Sequence, residues 1–223
     1  MKKLIFSTVF LLLSLFSIQL HATNKDDLNA RILSASSILQ QIKADPSKGI
    51  PKSIFEKAKG VVIFPNVIKA GFIIGGMFGN GLMVNKLPNG TWSDPSFVSI
   101  GGGSVGFQIG AAGVALVLVV MNDSGIKNIA NGNVTLGTDV GIAAGPVGRN
   151  ASAKAAVQAG ILSYSMSEGL FAGISIEGGV IAPSKKDNET YYGDSITVND
   201  ILFNPPTVYT NEIKKLINAL DNY

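Results

Sequence analysis

Three groups of residues in this chain have the types and spacing that chemistry requires. The first is Gly101-Gly102-Gly103-Ser104-Val105-Gly106, which satisfies the G-x-G-x-x-G pattern of dinucleotide sites, with Asp123 further on. Such a site needs a helix to open at once, so that its N-terminal amides cradle a pyrophosphate. Here the next residues alternate with period two, and Gly106, Gly110 and Gly113 would each cost a helix about 1 kcal/mol relative to alanine. The segment therefore reads as strand, and no cofactor is expected. The second group is the carboxylates Asp94, Asp139, Glu168, Glu177 and Asp194. A glycosidase-like pair needs two acids within about 5–10 Å, and these are scattered, which fits solvated strand and turn positions. Asp139 is the exception worth following. It reads as sharing a strand face with Thr135, Gly137 and Gly141, where burial would require a partner, and Arg149 is the obvious one. The third group is Lys52, Lys57, Lys59 and Lys69. These cations either complement a helix C-terminus or approach phosphate head groups, at about 1 kcal/mol per lysine near an anionic surface.

Much chemistry is excluded by what the chain lacks. It has 223 residues, no cysteine and one histidine, His21. His21 falls in an N-terminal segment that reads as a secretory signal peptide over residues 1–22. Lys2 and Lys3 form its positive end, Leu4 to Ile18 its apolar run, and Gln19-Leu20-His21-Ala22 a cleavage site near Ala22. The rival reading is an uncleaved membrane anchor. Cleavage places residues 23–223, a single domain, outside the cytoplasm, in the periplasm or at the cell envelope. Without histidine or cysteine the mature chain can run neither a Ser-His-Asp triad nor a cysteine nucleophile, and it has no usual zinc site. Losing Lys2 and Lys3 takes 18 basic side chains to 16, against 15 acidic ones. That near-neutral balance does not point to nucleic acid.

The elements that must position these groups follow from periodicity. Leu28, Ile32, Ala35, Leu39 and Ile42 recur at spacings of four and three, which predicts an amphipathic helix over 23–45 with Thr23 or Asn24 as cap and Asp45-Pro46 as stop. A second helix is predicted from Pro51 to Lys59, and a last one over 207–222. From Gly60 the pattern changes to strands, predicted at 61–64, 71–78, 81–86, 97–100, 104–111, 114–121, 134–142, 161–166, 170–177 and near 190–198. Turn signals lie at Gly79-Asn80, Pro88-Asn89-Gly90, Asn122-Asp123-Ser124-Gly125 and Asn131-Gly132, and a short helix fits 151–159. In 104–111, 134–142 and 170–177 every second residue is small, which predicts strands with one flat face. Val105 to Met121 carries no charge, but it reads as two strands rather than a membrane-spanning helix. The fold class is α+β: a glycine-rich antiparallel sheet, a sandwich or partly closed barrel, flanked by N-terminal and C-terminal helices that cover its edges.

Short segments in a fixed order carry a family likeness. They are Ala58-Lys59-Gly60-Val61 with Phe64-Pro65, Lys69-Ala70-Gly71-Phe72 with Gly75-Gly76, and Gly90-Thr91-Trp92-Ser93 with Pro95 and Phe97. Later come Ser104 to Gly110, Gly145-Pro146-Val147-Gly148-Arg149, Tyr164-Ser165 with Gly169 to Gly173, and Tyr191-Tyr192-Gly193. Through them the block from Ala58 to Leu202 resembles the SYLF-domain family. The resemblance implies a non-enzymatic lipid-binding module. Eukaryotic members bind phosphoinositide membranes through a basic surface and an N-terminal amphipathic segment, and some bind actin filaments. What carries over is affinity for anionic lipid head groups, and Lys59, Lys69 and Arg149 fall inside matching motifs.

Taken together, the expected protein is an exported module without catalytic activity, metal or cofactor. Its expected partner is an anionic phospholipid surface at the envelope, contacted through Lys52, Lys57, Lys59, Lys69 and Arg149. Two alternatives stand beside it. One is a protein-interaction module in envelope assembly, using the glycine face or an open sheet edge to bind envelope proteins. The other is a carboxylate hydrolase acting on envelope polymers.

Overall fold

The computed structural model describes residues 23–45, 47–148, 159–167, 170–174, 176–206, 208 and 210–223, and leaves aside the side chains of 69–75 and 104–112. Helix α1 (Lys25–Ala44) opens on a capping box in which Asn24 and Asp27 each accept the other's backbone N–H. Its predicted stripe Leu28, Ile32, Ala35, Leu39 and Ile42 is buried along its whole length. Helix α2 (Lys52–Phe55) is shorter than predicted.

The centre of the molecule is a pair of long strands, β1 (Gly60–Asn85) and β2 (Ser96–Val120), antiparallel from Gly60 opposite Val120 to Met83 opposite Ser96. The register shifts twice, between Phe64 and Val67 and between Gly71 and Ile73. These are bulges, which bend a strand and tighten its twist. The ribbon folds back accordingly, so the two halves of β1 lie beside each other. The Lys86 N–H donates to the Lys59 carbonyl at 2.8 Å. A Cβ on Gly81 would collide with the Ile63 carbonyl and the Phe64 ring, so glycine is what lets the halves meet. Gly79-Asn80 is therefore strand, not the predicted turn, and the separate strands predicted within 61–86 and 97–121 are two continuous ones. The uncharged stretch Val105 to Val120 is strand throughout, not helix.

Among the described residues, five shorter strands complete a curled sheet with helices at both ends of the chain. They are β3 (Val134–Thr135), β4 (Ile142–Ala144), β5 (Ile161–Ser167), β6 (Leu170–Gly173) and β7 (Val180–Pro183). β5 and β7 pair with the two ends of β2. β3 borders β7, while β4 and β6 border β5. The strand predicted over 134–142 is thus interrupted. Gly137 holds φ +89° in a turn between β3 and β4, a conformation that favours glycine. Of the strand predicted over 170–177, only the first part forms.

The sheet is covered on both faces. Val61, Ile63, Val117 and Val119 pack with α1, α2 and α6 (Asn211–Asp221), whose Ile213, Leu216 and Leu220 are buried. Val62, Phe64, Leu116, Leu118 and Val120 pack on the other side with Ile126 and Ile129 of α3 (Asp123–Asn131) and Leu202 of α5 (Val198–Phe203). Double coverage is why 114–120 reads as an unbroken apolar run.

The strand predicted near 190–198 is instead helical, split between α4 (Lys185–Tyr192) and α5. Helix α4 is held by directed polar contacts. Asn188 Oδ1 accepts the Phe97 N–H at 2.8 Å and its Nδ2 donates to the Phe97 carbonyl at 3.1 Å, so an amide side chain pairs with β2 as a strand would. Arg31 donates to Asp187 at 2.7 Å and lies over the Phe97 ring, 5.5 Å from its centroid, tying α1 to α4. The helix predicted over 151–159 lies outside the described residues, apart from Ala159. So does the signal segment 1–22.

The Arg31–Asp187 pair is largely shielded, with side chains 13% and 9% exposed. Removing one member of such a pair leaves a charge with little solvent. Asp187→Ala is expected to cost about 3 kcal/mol of unfolding free energy, read as a lower urea midpoint. A midpoint equal to the parent's would show that the pair does not hold α1 in place.

Candidate functional site

At the end of the sheet where β1 starts, β1 ends and β2 ends, the chain forms a cleft of about 800 Å³. Four lysines line it: Lys57, Lys59, Lys86 and Lys127, with Glu56 and Asp123 as the acids. Each lysine arrives by a local rule. Lys57 sits on the last turn after α2, where its N–H donates to the Ile54 carbonyl at 3.1 Å. The Lys59 N–H donates to Val120 and its carbonyl accepts from Lys86, both at 2.8 Å, so backbone pairing alone sets Lys59 beside Lys86. Lys127 comes from α3, whose cap Asn122 accepts the Gly125 N–H at 2.8 Å. Helix α3 can lie this close because position 60 is glycine. A Cβ there would meet the Ile126 side chain and, at 2.7 Å, the Val84 carbonyl.

Asn85 and Phe203 close the site from the side of α5. Asn85 is buried, and its Nδ2 donates to the Leu202 carbonyl at 3.0 Å. Lys57, Lys59 and Lys127 are exposed, so their ammonium groups are hydrated. The Lys86 ammonium donates to the Glu56 carbonyl at 3.2 Å and lies 5.4 Å from the centroid of Trp92. A smaller cleft of about 420 Å³ adjoins, sharing Glu56, Lys86 and Gly90 with the first and adding Lys52, Phe55, Trp92 and Tyr223.

Of the residues singled out from sequence, Lys57 and Lys59 line the larger cleft. Lys52 lines the smaller one and pairs with Glu56 at 3.8 Å on an exposed helix face. The Lys69 side chain and Arg149 lie outside the described parts. Lys86 and Lys127 were missed, because nothing near them in sequence ties them to the lysines of 52–59. Asp139 does not lie on a strand face. It is exposed in the turn before β4, where its Oδ2 accepts the Thr135 N–H at 2.7 Å. The partnership foreseen with Arg149 falls outside the described residues. Asp94 is buried and accepts the Val208 N–H at 3.0 Å, a structural contact. Among the described residues no cluster of acids, histidines or cysteines could hold a metal. No described helix is long and apolar enough to cross a membrane.

A second surface lies at the opposite end of the sheet. Ile68, Phe78 and Leu170 are 48%, 56% and 71% exposed. Ile68 and Phe78 are brought near each other where β1 folds back, since a Cβ on Gly79 would touch Val67, whereas Leu170, opposite Ser167 of β5, is set on the other face of the sheet by the alternation of its strand.

Comparison with known proteins adds identity to this geometry. A family model described as "Ysc84: Las17-binding protein actin regulator" matches residues 101–223. The chain is 36% identical over 205 residues to the human SH3 domain-containing YSC84-like protein 1, covering 88% of this chain and 59% of that protein. It is 42% identical over 158 residues to the SH3 domain-containing protein PJ696.02 of Schizosaccharomyces pombe, covering 69% and 36%. It is 36% identical over 182 residues to LAS seventeen-binding protein 3 of Saccharomyces cerevisiae, covering 78% and 39%. The chain thus spans 59% or less of the length of these relatives.

The architecture of the cleft separates its cations from its frame. Lys57→Gln, Lys59→Gln and Lys127→Gln are each expected to change unfolding free energy by less than about 0.5 kcal/mol, as exposed positions do. Gly60→Ala is expected to cost about 1–3 kcal/mol by overpacking. Urea denaturation of the four variants checks both statements. A Gly60→Ala variant as stable as the parent would mean that α3 is not seated on β1 in this way.

Proposed function

The chain belongs to the Ysc84 family, the family of SYLF domains, and on that premise we propose that it is a non-enzymatic binding module whose lysine cleft takes the phosphate of an anionic phospholipid head group. One observation carries the reading: four lysines from three separate elements converge on a single cleft with two acids. A phosphate there meets several ammonium groups at once, and charge-assisted hydrogen bonds to phosphate are stronger than neutral ones. The relatives are named as SH3-containing and Las17-binding proteins, names of binding proteins rather than enzymes. On the signal-peptide reading of residues 1–22, the membrane concerned is that of the cell envelope. The mass of the mature protein checks that step: a chain starting at Thr23 supports it, and one retaining Met1 contradicts it.

A second reading has its own observation. Ile68 and Phe78, brought together where β1 folds back, are exposed apolar side chains at the far end of the sheet, and exposed apolar surface favours contact with another molecule. The family description and the Las17-binding relative point towards protein partners. On this reading the far end docks a protein, and the lysines are ordinary surface charge.

Vesicle co-sedimentation separates the two. On the head-group reading, binding rises with the anionic lipid fraction and falls as salt shortens the Debye length to about 10 Å at 0.1 M. Each lysine contributes about 1 kcal/mol near the surface, roughly fivefold in affinity. Lys57→Glu, Lys59→Glu and Lys127→Glu should each weaken binding at least that much, and Phe78→Ser should not. Equal binding to neutral and anionic vesicles, or a loss with Phe78→Ser alone, would contradict it.

A further inference from the structure

We propose that Trp92 is a positioning residue for the lysine cleft, holding the Lys86 ammonium where an anion meets it. The inference rests on the anionic head-group reading of the cleft. Lys86 and Trp92 face each other as an antiparallel bridge across the connection between β1 and β2. The ammonium lies 5.4 Å from the indole centroid and donates to the Glu56 carbonyl at 3.2 Å. An ammonium has three N–H donors. The carbonyl takes one and the ring face screens one side, which leaves donor capacity turned away from both.

The ring is itself fixed. Trp92 is 7% exposed and packs against Phe55 at a centroid distance of 6.0 Å, while Phe55 stacks on Tyr223 at 3.9 Å. The neighbouring Ser93 hydroxyl accepts the Asn85 N–H at 3.0 Å and donates to the Asp94 carbonyl at 2.9 Å. A rigid aromatic face thus restrains a flexible lysine, and Lys86 lines both clefts, at the seam between them. A long side chain loses rotamer freedom when it engages a ligand. Part of that loss is already taken for Lys86 before any anion arrives.

Trp92 is the chain's one tryptophan, so its fluorescence reports this seam alone. The experiment measures emission and co-sedimentation of the mature chain with vesicles of phosphatidylcholine, with and without phosphatidylserine. Lys86→Met is expected to shift the emission of the free protein, because a charge leaves the ring. Trp92→Leu is expected to weaken binding to the phosphatidylserine vesicles about two- to fivefold, the range for an exposed cation–π contact. Trp92→Phe should recover most of that loss. Unchanged emission in Lys86→Met overturns the proposal without any vesicle, and it stays decisive if Trp92→Leu fails to fold. Trp92→Leu binding as tightly as the parent, while Lys57→Glu and Lys127→Glu lose binding, overturns the positioning role and leaves the cleft reading standing. A parent chain that ignores phosphatidylserine vesicles overturns both.

Discussion

The Lys59 carbonyl accepts the Lys86 N–H, and the Lys59 N–H donates to the Val120 carbonyl, each at 2.8 Å. These two bonds join three strand ends at one edge of the sheet. They exist because the β1–β2 ribbon bends at its bulges and returns on itself, and because Gly81 lets the Ile63 backbone come close. Buried backbone donors and acceptors must find partners, so the bend is satisfied only when the halves of β1 meet. Once they meet, Lys59 and Lys86 are neighbours, α3 follows β2 onto Gly60, and Lys127 arrives at the same cleft. The site is a consequence of how the ribbon closes.

The same closure separates two surfaces. From Lys59 to Ile68 the chain runs along β1, and a rise of about 3.3 Å per residue sets an upper limit of roughly 30 Å between the cleft and Ile68, shortened by the bulge after Phe64. Even a path well short of that limit exceeds the Debye length of about 8 Å at physiological salt. A membrane touching Ile68 and Phe78 with the strands upright would feel little of the cleft lysines. The basic end and the apolar end are therefore independent surfaces, and binding at one need not serve the other.

What could be read from sequence was what local pattern controls. The stripe of α1 and its Asn24 cap are set within a few residues, and α6 likewise. The strands were legible, but their continuity was not, since a glycine that admits a neighbouring backbone looks like a glycine that makes a turn; Gly79 is the case in point. Helix α3 was hidden for a related reason. An Asn122 side chain accepting a backbone N–H is the chemistry of a cap and of a turn alike. Helix α4 has no apolar period to find, and its anchors, Asp187 to Arg31 and Asn188 to Phe97, are contacts across the fold. The cleft divides along the same line. Lys57 and Lys59 were visible as a local cluster, whereas Lys86 and Lys127 join them only through sheet register and helix packing. Family membership was legible because its motifs are short and local; the geometry of the lysine cleft was not.

The most direct test of the account is an NMR titration of residues 23–223 with a short-chain anionic phospholipid below its micelle concentration. The account predicts that amide shifts change first at Lys57, Lys59, Lys86 and Lys127 and in the Trp92 indole. Shifts that begin at Ile68, Phe78 and Leu170, with the lysine cleft silent, would contradict it.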